Sequence, residues 1–385
     1  MALESHSQIL VEEKPSVRIL TLNRPKQLNA LSLNMVTRLL QLFLAFEVDS
    51  TVKLVILKGQ GRAFCAGGDV SAVVRDIVLG KWRRSADFMS LEYTLNYVMA
   101  TYCKAQISIL NGIVMGGGAG VCVHGRFRIA TENTVFAMPE TALGLFPDVG
   151  ASYFLSRLSG FFGEYVGLTG ARLNGAEMLA CGLATHFVPS TRLTALQADL
   201  CKVGSSDPVT FASTILDAYT QHTHPERQSA FYIQGKFVSP VSYLAIYFSL
   251  CRLDVINRCF SRRTIEEIMS ALEIEATHKP DDWISATIGA LKKASPASLK
   301  ITLRSIREGR VQGVGQCLIR ENRMVSHVMK GDISKDFVEW EPRRLEDMKD
   351  IMVEQYFKRV EEEDGWEDLK LPPRKHLPAS AIAKL

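Results

Sequence analysis

Two carboxylates stand in an apolar stretch of the sequence, where an unused charge would be unfavourable. The segment Ala137–Gly150 reads A-M-P-E-T-A-L-G-L-F-P-D-V-G, and Glu140 and Asp148 each follow a proline directly. Because burying a carboxylate without a partner costs free energy, this placement is typical of acid–base or nucleophilic chemistry. A structural explanation stays open, in which Asp148 caps a helix beginning at Val149 and Glu140 lies in a first helical turn.

Two glycine-rich loops, each following a predicted strand, supply backbone N–H groups that could bind a negatively charged oxygen. The first is Arg62–Asp69, R-A-F-C-A-G-G-D, and the second is Asn111–Gly120, N-G-I-V-M-G-G-G-A-G. Consecutive glycines let the backbone approach a ligand closely and direct its N–H groups at an anion. The alternative is tight packing of a helix against a strand. The second loop does not fit the dinucleotide-binding pattern G-x-G-x-x-G with its following acidic residue.

The elements around these loops predict an α/β fold with a mixed sheet. Ser32 predicts the N-cap of a helix, because apolar residues follow it at helical spacing. Helical runs alternate with short apolar or β-branched runs, and this alternation is typical of strands joined by crossover connections. The predicted strands are Val17–Asn23, Lys53–Lys58, Gln106–Leu110, Phe127–Thr131 and Thr134–Ala137.

The second half of the chain is predicted to be mostly helical. From about Leu193 the strand patterns fade, and helical spacing recurs over Thr264–Ala276, Trp283–Ala294 and Pro296–Glu308. This contrast divides the chain into a catalytic core at 1–205, a helical region at 206–360 and a polar tail at 361–385.

Composition and charge argue against several classes of protein. The chain has 385 residues, of which 47% are hydrophobic and 22% charged, and these values are ordinary for a globular protein. A net charge of +4 is too small to predict nucleic-acid binding, and no apolar run is long enough for an ordinary membrane-spanning helix. The eight cysteines are scattered without a C-x-x-C pair, so we expect neither a zinc site nor a disulfide framework.

Together, the motifs resemble those of the crotonase (enoyl-CoA hydratase/isomerase) superfamily. The resemblance begins at L-N-R-P and L-N-A-L, within Leu22–Leu31, and continues in order through F-C-A-G-G-D, N-G-x-x-M-G-G-G and M-P-E. It implies a crotonase-like α/β fold of repeated ββα units. It also implies an oxyanion hole for an acyl-CoA thioester oxygen, whose two N–H groups belong by motif position to Ala66 and Gly117.

Two positions separate the chemistries within this superfamily. Enoyl-CoA hydratases resemble one another in placing a glutamate shortly after the glycine triplet, where this chain has Gly120, while Glu140 matches their second glutamate. The added Asp148 and the motif G-L-T-G at 167–170 resemble 3-hydroxyisobutyryl-CoA hydrolases. Glu92 matches a further substrate-site glutamate of these hydrolases, and a surface helix charge is its structural alternative.

This resemblance implies a thioester hydrolase of valine catabolism that splits 3-hydroxyisobutyryl-CoA into 3-hydroxyisobutyrate and CoA. Glu140 would attack the carbonyl or activate water, and Asp148 would hold the 3-hydroxyl or assist proton transfer. Glu92 and the N–H groups of Ala66 and Gly117 would bind the substrate, and no metal or redox cofactor is expected. Two other functions stay open: a hydratase or isomerase, and an acyl-CoA-binding homologue whose activity is impaired.

The sequence departs from the hydrolase pattern in two places, and its last three residues resemble a targeting signal. Phe231–Cys251 resembles an insertion, and a short stretch that the family has is missing between Glu339 and Trp340. The final Ala383-Lys384-Leu385 resembles a peroxisomal signal, which plant members of the group carry, and predicts binding to the peroxisomal import receptor. Crotonases often form trimers, which implies a homo-oligomer unless the helical region replaces those contacts.

Overall fold

Two β-sheets lie at the centre of the fold. A computed structural model describes residues 7–204, 207–223, 225, 252–278, 281–331, 343–360 and 366–374. The strands are β1 (Ile9–Glu13), β2 (Val17–Leu22), β3 (Leu54–Gly59), β4 (Ala63–Cys65), β5 (Ala105–Leu110), β6 (Ile113–Met115), β7 (Phe127–Ala130), β8 (Val135–Ala137), β9 (Leu173–Asn174) and β10 (His186–Phe187). They form a six-stranded sheet of order β1-β2-β3-β5-β7-β10 and a four-stranded sheet of order β4-β6-β8-β9.

The larger sheet is parallel except for β1, which pairs antiparallel with β2. Every side chain of β2 and β5 is buried, and so are the first four of β3. A parallel sheet is usually covered on both faces, so its strands carry continuous apolar runs rather than alternating ones. In the smaller sheet β4, β6 and β8 are parallel, and β9 runs antiparallel to β8.

Fifteen α-helices surround the sheets in the described residues, and Ser32 caps the first of them as predicted, accepting a hydrogen bond from the Met35 N–H. They are α1 (Leu33–Val48), α2 (Val70–Val78), α3 (Trp82–Ala100), α4 (Gly117–Val123), α5 (Ala151–Phe154), α6 (Phe162–Thr169), α7 (Gly175–Cys181), α8 (Leu193–Leu200), α9 (Pro208–Tyr219), α10 (Arg252–Phe260), α11 (Ile265–His278), α12 (Asp282–Lys293), α13 (Pro296–Gly309), α14 (Val314–Lys330) and α15 (Asp350–Phe357).

The chain repeatedly passes from the larger sheet to the smaller one and then into a helix. This happens over β3, β4 and α2, and again over β5, β6 and α4. The turn between β5 and β6 needs Gly112, because its φ is +111° and a Cβ there would lie 2.3 Å from the Arg62 carbonyl oxygen. The repeat is the ββα unit expected from the sequence, and it brings the ends of β4 and β6 together.

The helical second half is also confirmed. Helix α14 packs along α3, while α13 packs against α5 and α6, so the helical region covers the elements that follow the glycine loops. Helix α9 packs with α8 on the other side, against β5. The boundaries at 205 and 360 stay a prediction.

Several features of the sequence lie outside the described residues. They are the segment Phe231–Cys251, the junction of Glu339 with Trp340, and the tripeptide Ala383-Lys384-Leu385. Within the described ranges, no helix has both the length and the apolar character needed to cross a membrane.

Candidate active site

The glycine loops and the carboxylate segment meet at one cleft. Its walls come from the loop after β4, the N-terminus of α4, one face of α3 and the stretch between β8 and α5. The lining residues are Ala66, Gly67, Gly68, Val70, Val73, Met89, Glu92, Gly116, Gly117, Pro139, Glu140, Leu143, Leu145, Asp148 and Val149. All five residues predicted to act on the substrate therefore lie in the same cavity.

Gly117 lies in a tightly packed part of the cleft. A Cβ at this position would stand 2.3 Å from Glu92 Oε1 and 3.2 Å from the Gly68 nitrogen. Only glycine fits between these two groups without displacing one of them. As the first residue of α4, Gly117 has an N–H without an acceptor inside the helix, so this donor remains available to a ligand.

The assignment of the second N–H to Ala66 needs correction. The Ala66 N–H donates a hydrogen bond of 3.0 Å to the Leu28 carbonyl oxygen, so it is already used within the fold. Gly68 forms a parallel bridge with Leu31, and that bridge uses the Gly67 carbonyl and the Asp69 N–H. In this pairing the N–H of Gly68 itself points away from Leu31, and the Gly68 nitrogen lies 3.2 Å from the position that a Cβ on Gly117 would take. The N–H of Gly68 therefore remains available as a second donor beside that of Gly117.

Glu92 lies on α3 with its side chain directed into the cleft. The residue is 2% exposed, which excludes the alternative of a surface helix charge. Its Oε1 atom has no hydrogen-bond partner among the described residues. A buried polar atom without a partner costs free energy, and in a cleft it is available to a substrate group.

Glu140 begins a short 3₁₀ helix, Glu140–Leu143, and its side chain is buried. Its Oε1 atom lies 3.0 Å from the position that a Cβ on Gly116 would take. Its Oε2 atom is buried with no hydrogen-bond partner in the described part of the chain. The first-turn position given as the structural alternative is correct, yet the carboxyl group faces the cleft beside the glycine triplet.

Asp148 does not cap a helix with its side chain. Helix α5 begins at Ala151, with Gly150 as its N-cap, so the structural alternative of a helix that begins at Val149 is wrong. Asp148 Oδ2 instead accepts a hydrogen bond of 2.6 Å from the Tyr93 hydroxyl, and both residues are buried. Tyr93 was not predicted as a site residue, although it follows Glu92 directly in the sequence.

The loop that carries Asp148 is held in an unusual conformation. Val149 has φ +56°, a left-handed value that is rare for a β-branched residue. His124 Nε2 lies 2.8 Å from the Val149 carbonyl oxygen, and burial lowers the pKa of His124 to about 4, so its ring is neutral at pH 7. Glu321, from α14, accepts hydrogen bonds from the next residues of the loop. Neither His124 nor Glu321 could be chosen from the sequence, because neither is close in sequence to Asp148.

Burial raises the pKa of all three cleft carboxyl groups. It raises the pKa of Glu92 to about 8 and that of Glu140 well above its ordinary value, and the nearby Asp148 charge adds to both shifts. Burial also raises the pKa of Asp148 to about 6, although the Tyr93 hydrogen bond opposes this change. Groups that titrate near neutral pH are suited to proton transfer, which ordinary surface carboxylates are not.

No group of three His, Cys, Asp or Glu side chains in the described ranges is arranged to hold a metal ion. The seven cysteines in these ranges are free thiols.

Fold and site together define an acyl-CoA enzyme of the crotonase type, and comparison with known proteins agrees. The chain belongs to the enoyl-CoA hydratase/isomerase family, whose model matches residues 17–357. It is 75% identical to 3-hydroxyisobutyryl-CoA hydrolase 1 of Arabidopsis thaliana, with 100% of both chains covered. It is 71% identical to the probable 3-hydroxyisobutyryl-CoA hydrolase 3 of the same plant, with 99% of each covered.

A solved structure supports the fold. The carnitinyl-CoA dehydratase of Mycobacterium thermoresistibile superposes with a TM-score of 0.81 at 30% identity, covering 96% of this chain and 100% of that one. The resemblance to the hydrolases and the crotonase-like fold expected from the sequence are thereby confirmed.

Proposed function

We propose that this chain hydrolyses 3-hydroxyisobutyryl-CoA to 3-hydroxyisobutyrate and CoA, as in valine catabolism. The observation that carries the proposal is the meeting of Glu92, Glu140 and Asp148 in one cleft with the N–H groups of Gly68 and Gly117. The Arabidopsis relatives named as hydrolases of this substrate support it, since they match over the full chain.

The thioester oxygen would accept hydrogen bonds from the N–H groups of Gly68 and Gly117. Negative charge develops on this oxygen as the carbonyl carbon becomes tetrahedral. Backbone donors fixed on glycine loops need no reorganisation when that happens, and removing one donor of such a pair typically costs about 10²–10³ in kcat.

Glu140 is the group that begins the reaction, in one of two ways. If its carboxylate attacks the carbonyl carbon, the C–S bond breaks, CoA leaves as a thiolate, and water then hydrolyses the resulting anhydride. If it acts as a base, it takes a proton from a water molecule whose oxygen attacks the carbonyl directly. Both ways need the ionised form, and burial makes that form a stronger base by raising the pKa of Glu140.

Asp148 and Glu92 would handle the polar groups of the substrate. With its pKa raised to about 6, Asp148 is mostly ionised at pH 7 and can accept a hydrogen bond from the 3-hydroxyl. With its pKa raised to about 8, Glu92 is mostly protonated and can donate one. Because the two carboxyl groups differ in protonation state, Asp148 can act as the hydrogen-bond acceptor and Glu92 as the donor.

Release of free CoA thiol from 3-hydroxyisobutyryl-CoA by the purified full chain tests the proposal. We expect steady turnover, and we expect Glu140→Gln to lose at least about 10² in rate while still binding the CoA ester. Binding without thiol release by the parent chain would instead indicate the impaired homologue. Hydration of methacrylyl-CoA without thiol release would indicate a hydratase.

We also propose that Ala383-Lys384-Leu385 directs the protein to peroxisomes through the import receptor. The support is the sequence pattern, small residue, basic residue and leucine at the chain end. The homo-oligomer that the family implies likewise stays a prediction, which light scattering on the purified protein checks.

A further inference from the structure

We infer that Glu321 is a positioning residue, which holds the loop Asp148–Gly150 so that the Asp148 carboxyl group faces the cleft. This inference rests on the proposed function, in which Asp148 contacts the substrate. Glu321 lies on α14, more than 170 positions further along the chain, and has no exposed surface.

The loop needs external support because its backbone is strained. A β-branched residue with positive φ costs free energy and persists only where surrounding contacts fix it. Relaxation of Val149 to a negative φ would rotate the adjoining peptide groups. That rotation would move Asp148 away from the Tyr93 hydroxyl, 2.6 Å distant in the observed loop.

The Glu321 carboxylate supplies that support through three hydrogen bonds. Its Oε2 atom accepts from the Gly150 N–H at 2.6 Å, and its Oε1 atom accepts from the Ser152 N–H at 3.0 Å and the Ser152 hydroxyl at 2.5 Å. These donors lie one and three residues after the strained Val149, at the start of α5. Hydrogen bonds to a charged acceptor are the strong ones, and burial excludes the water that would compete for them.

The geometry is specific to a carboxylate. Both oxygens accept, and a glutamine amide would place an NH₂ group against one of the backbone donors. The three bonds and the neighbouring Arg320 favour the charged form, although burial outweighs them and raises the pKa of Glu321 to about 7. His124, the residue after α4, lies within hydrogen-bond distance of the Val149 carbonyl oxygen, so the loop is held by the end of α4 as well as by α14.

A double-mutant cycle between Glu321 and Asp148 tests the inference, measured as kcat and KM of the full chain on 3-hydroxyisobutyryl-CoA. We expect Glu321→Gln to lower kcat about tenfold or more with little change in KM, since a small misplacement of a group that orients the substrate for reaction is costly. In an Asp148→Asn background the same change should alter kcat by less than about twofold, because the group that Glu321 positions is already gone.

Glu164 provides a matched control. It is also fully buried, but it lies on α6 and pairs with Arg310 at 2.7 Å, away from the cleft. Glu164→Gln should lower the thermal stability and leave kcat of the folded protein within about twofold of the parent.

Equal loss of kcat from Glu321→Gln in both backgrounds would overturn the inference, and so would a parent-like kcat. If Glu321→Gln does not fold, Ser152→Ala carries the same cycle, since it removes one donor and keeps the carboxylate. A parent chain that releases no thiol would refute the proposed function and the inference with it. If the parent chain releases thiol and Glu321→Gln does not change kcat, only the inference about Glu321 is refuted, and the proposed function stands.

Discussion

The side chain of Val149 occupies the space beside Gly120. A Cβ on Gly120 would lie 2.6 Å from the Val149 Cβ and 2.9 Å from Asn96 Nδ2, closer than real Cβ contacts. Gly120 is the position where hydratases of the superfamily carry a glutamate. The chain therefore lacks both that carboxylate and the room for it, because the side chains of Val149 and Asn96 fill the space beside Gly120.

This crowding predicts that Gly120→Ala destabilises the protein. Adding a methyl group to a packed site typically costs about 1–3 kcal/mol, and we expect the melting temperature to fall accordingly. Gly289→Ala is the control, because Gly289 lies on α12 and a Cβ there meets nothing within 4 Å. That change should be neutral or stabilising in the same thermal melts.

The same crowding predicts that Gly120→Glu does not create a hydratase. The new carboxylate would displace Val149, and Asp148 with it, so we expect hydrolysis to fall and no hydration of methacrylyl-CoA to appear. Hydratase activity in this variant would show that the Val149 side chain yields easily and that the missing carboxylate alone separates the two chemistries.

Asp148→Asn is expected to change substrate selectivity. If Asp148 accepts a hydrogen bond from the 3-hydroxyl, its loss lowers the rate on 3-hydroxyisobutyryl-CoA far more than that on isobutyryl-CoA. A buried group that bonds a hydroxyl discriminates strongly against a substrate that lacks it. The measurement is the ratio of kcat/KM values for the two substrates. An unchanged ratio with equal loss on both would place Asp148 in catalysis at the thioester instead.

Much of this site could be predicted from local sequence, but the direction of its backbone donors could not. Glu140, Asp148 and Gly117 lie in short motifs whose order already indicated a shared cleft, and Ser32 began its helix as expected. Ala66 was wrong, because the hydrogen bond to Leu28 that occupies its N–H joins two separate loops. Sequence spacing does not reveal such a contact.

The contacts that orient Asp148 were hidden for a different reason. Tyr93 lies on α3, His124 directly follows α4 and Glu321 lies on α14, and none of the three is close in sequence to the loop that they hold. Their residue types are common on helices, and only tertiary packing gives them a role. Helical spacing did predict α11, α12 and α13 to within two residues, because a repeating apolar face is a local property.

Glu92→Gln is expected to stabilise the fold, increasingly so at higher pH. Burial raises the pKa of Glu92 to about 8, so the folded protein holds a proton that the unfolded chain releases above its ordinary carboxyl value of 4.5. Stability is therefore lost as pH rises between these values, by about 1.4 kcal/mol per pH unit at most. Glutamine has no such proton to take up.

Thermal melts of the parent and Glu92→Gln at pH 5 and pH 8 check this expectation. The difference in melting temperature should be small at pH 5 and larger at pH 8. A constant difference would mean that Glu92 keeps its charge in the folded protein, and a donor role towards the substrate would then be excluded.

Removal of Ala383-Lys384-Leu385 is expected to change where the protein is located in the cell, without changing its hydrolase activity or its stability. The described chain reaches Arg374, which is buried and donates to Glu47 Oε1 at 2.5 Å and to the Thr101 carbonyl at 3.0 Å. The cut lies beyond this anchor and far in sequence from the cleft, so hydrolysis and melting temperature should match the parent while a tagged protein moves from peroxisomes to cytosol.

Arg374→Ala is the contrasting variant, since breaking a buried ion pair costs about 3–5 kcal/mol and should lower the melting temperature. Peroxisomal retention of the truncated chain would refute the proposed targeting signal. A large loss of stability would show that the last residues belong to the fold.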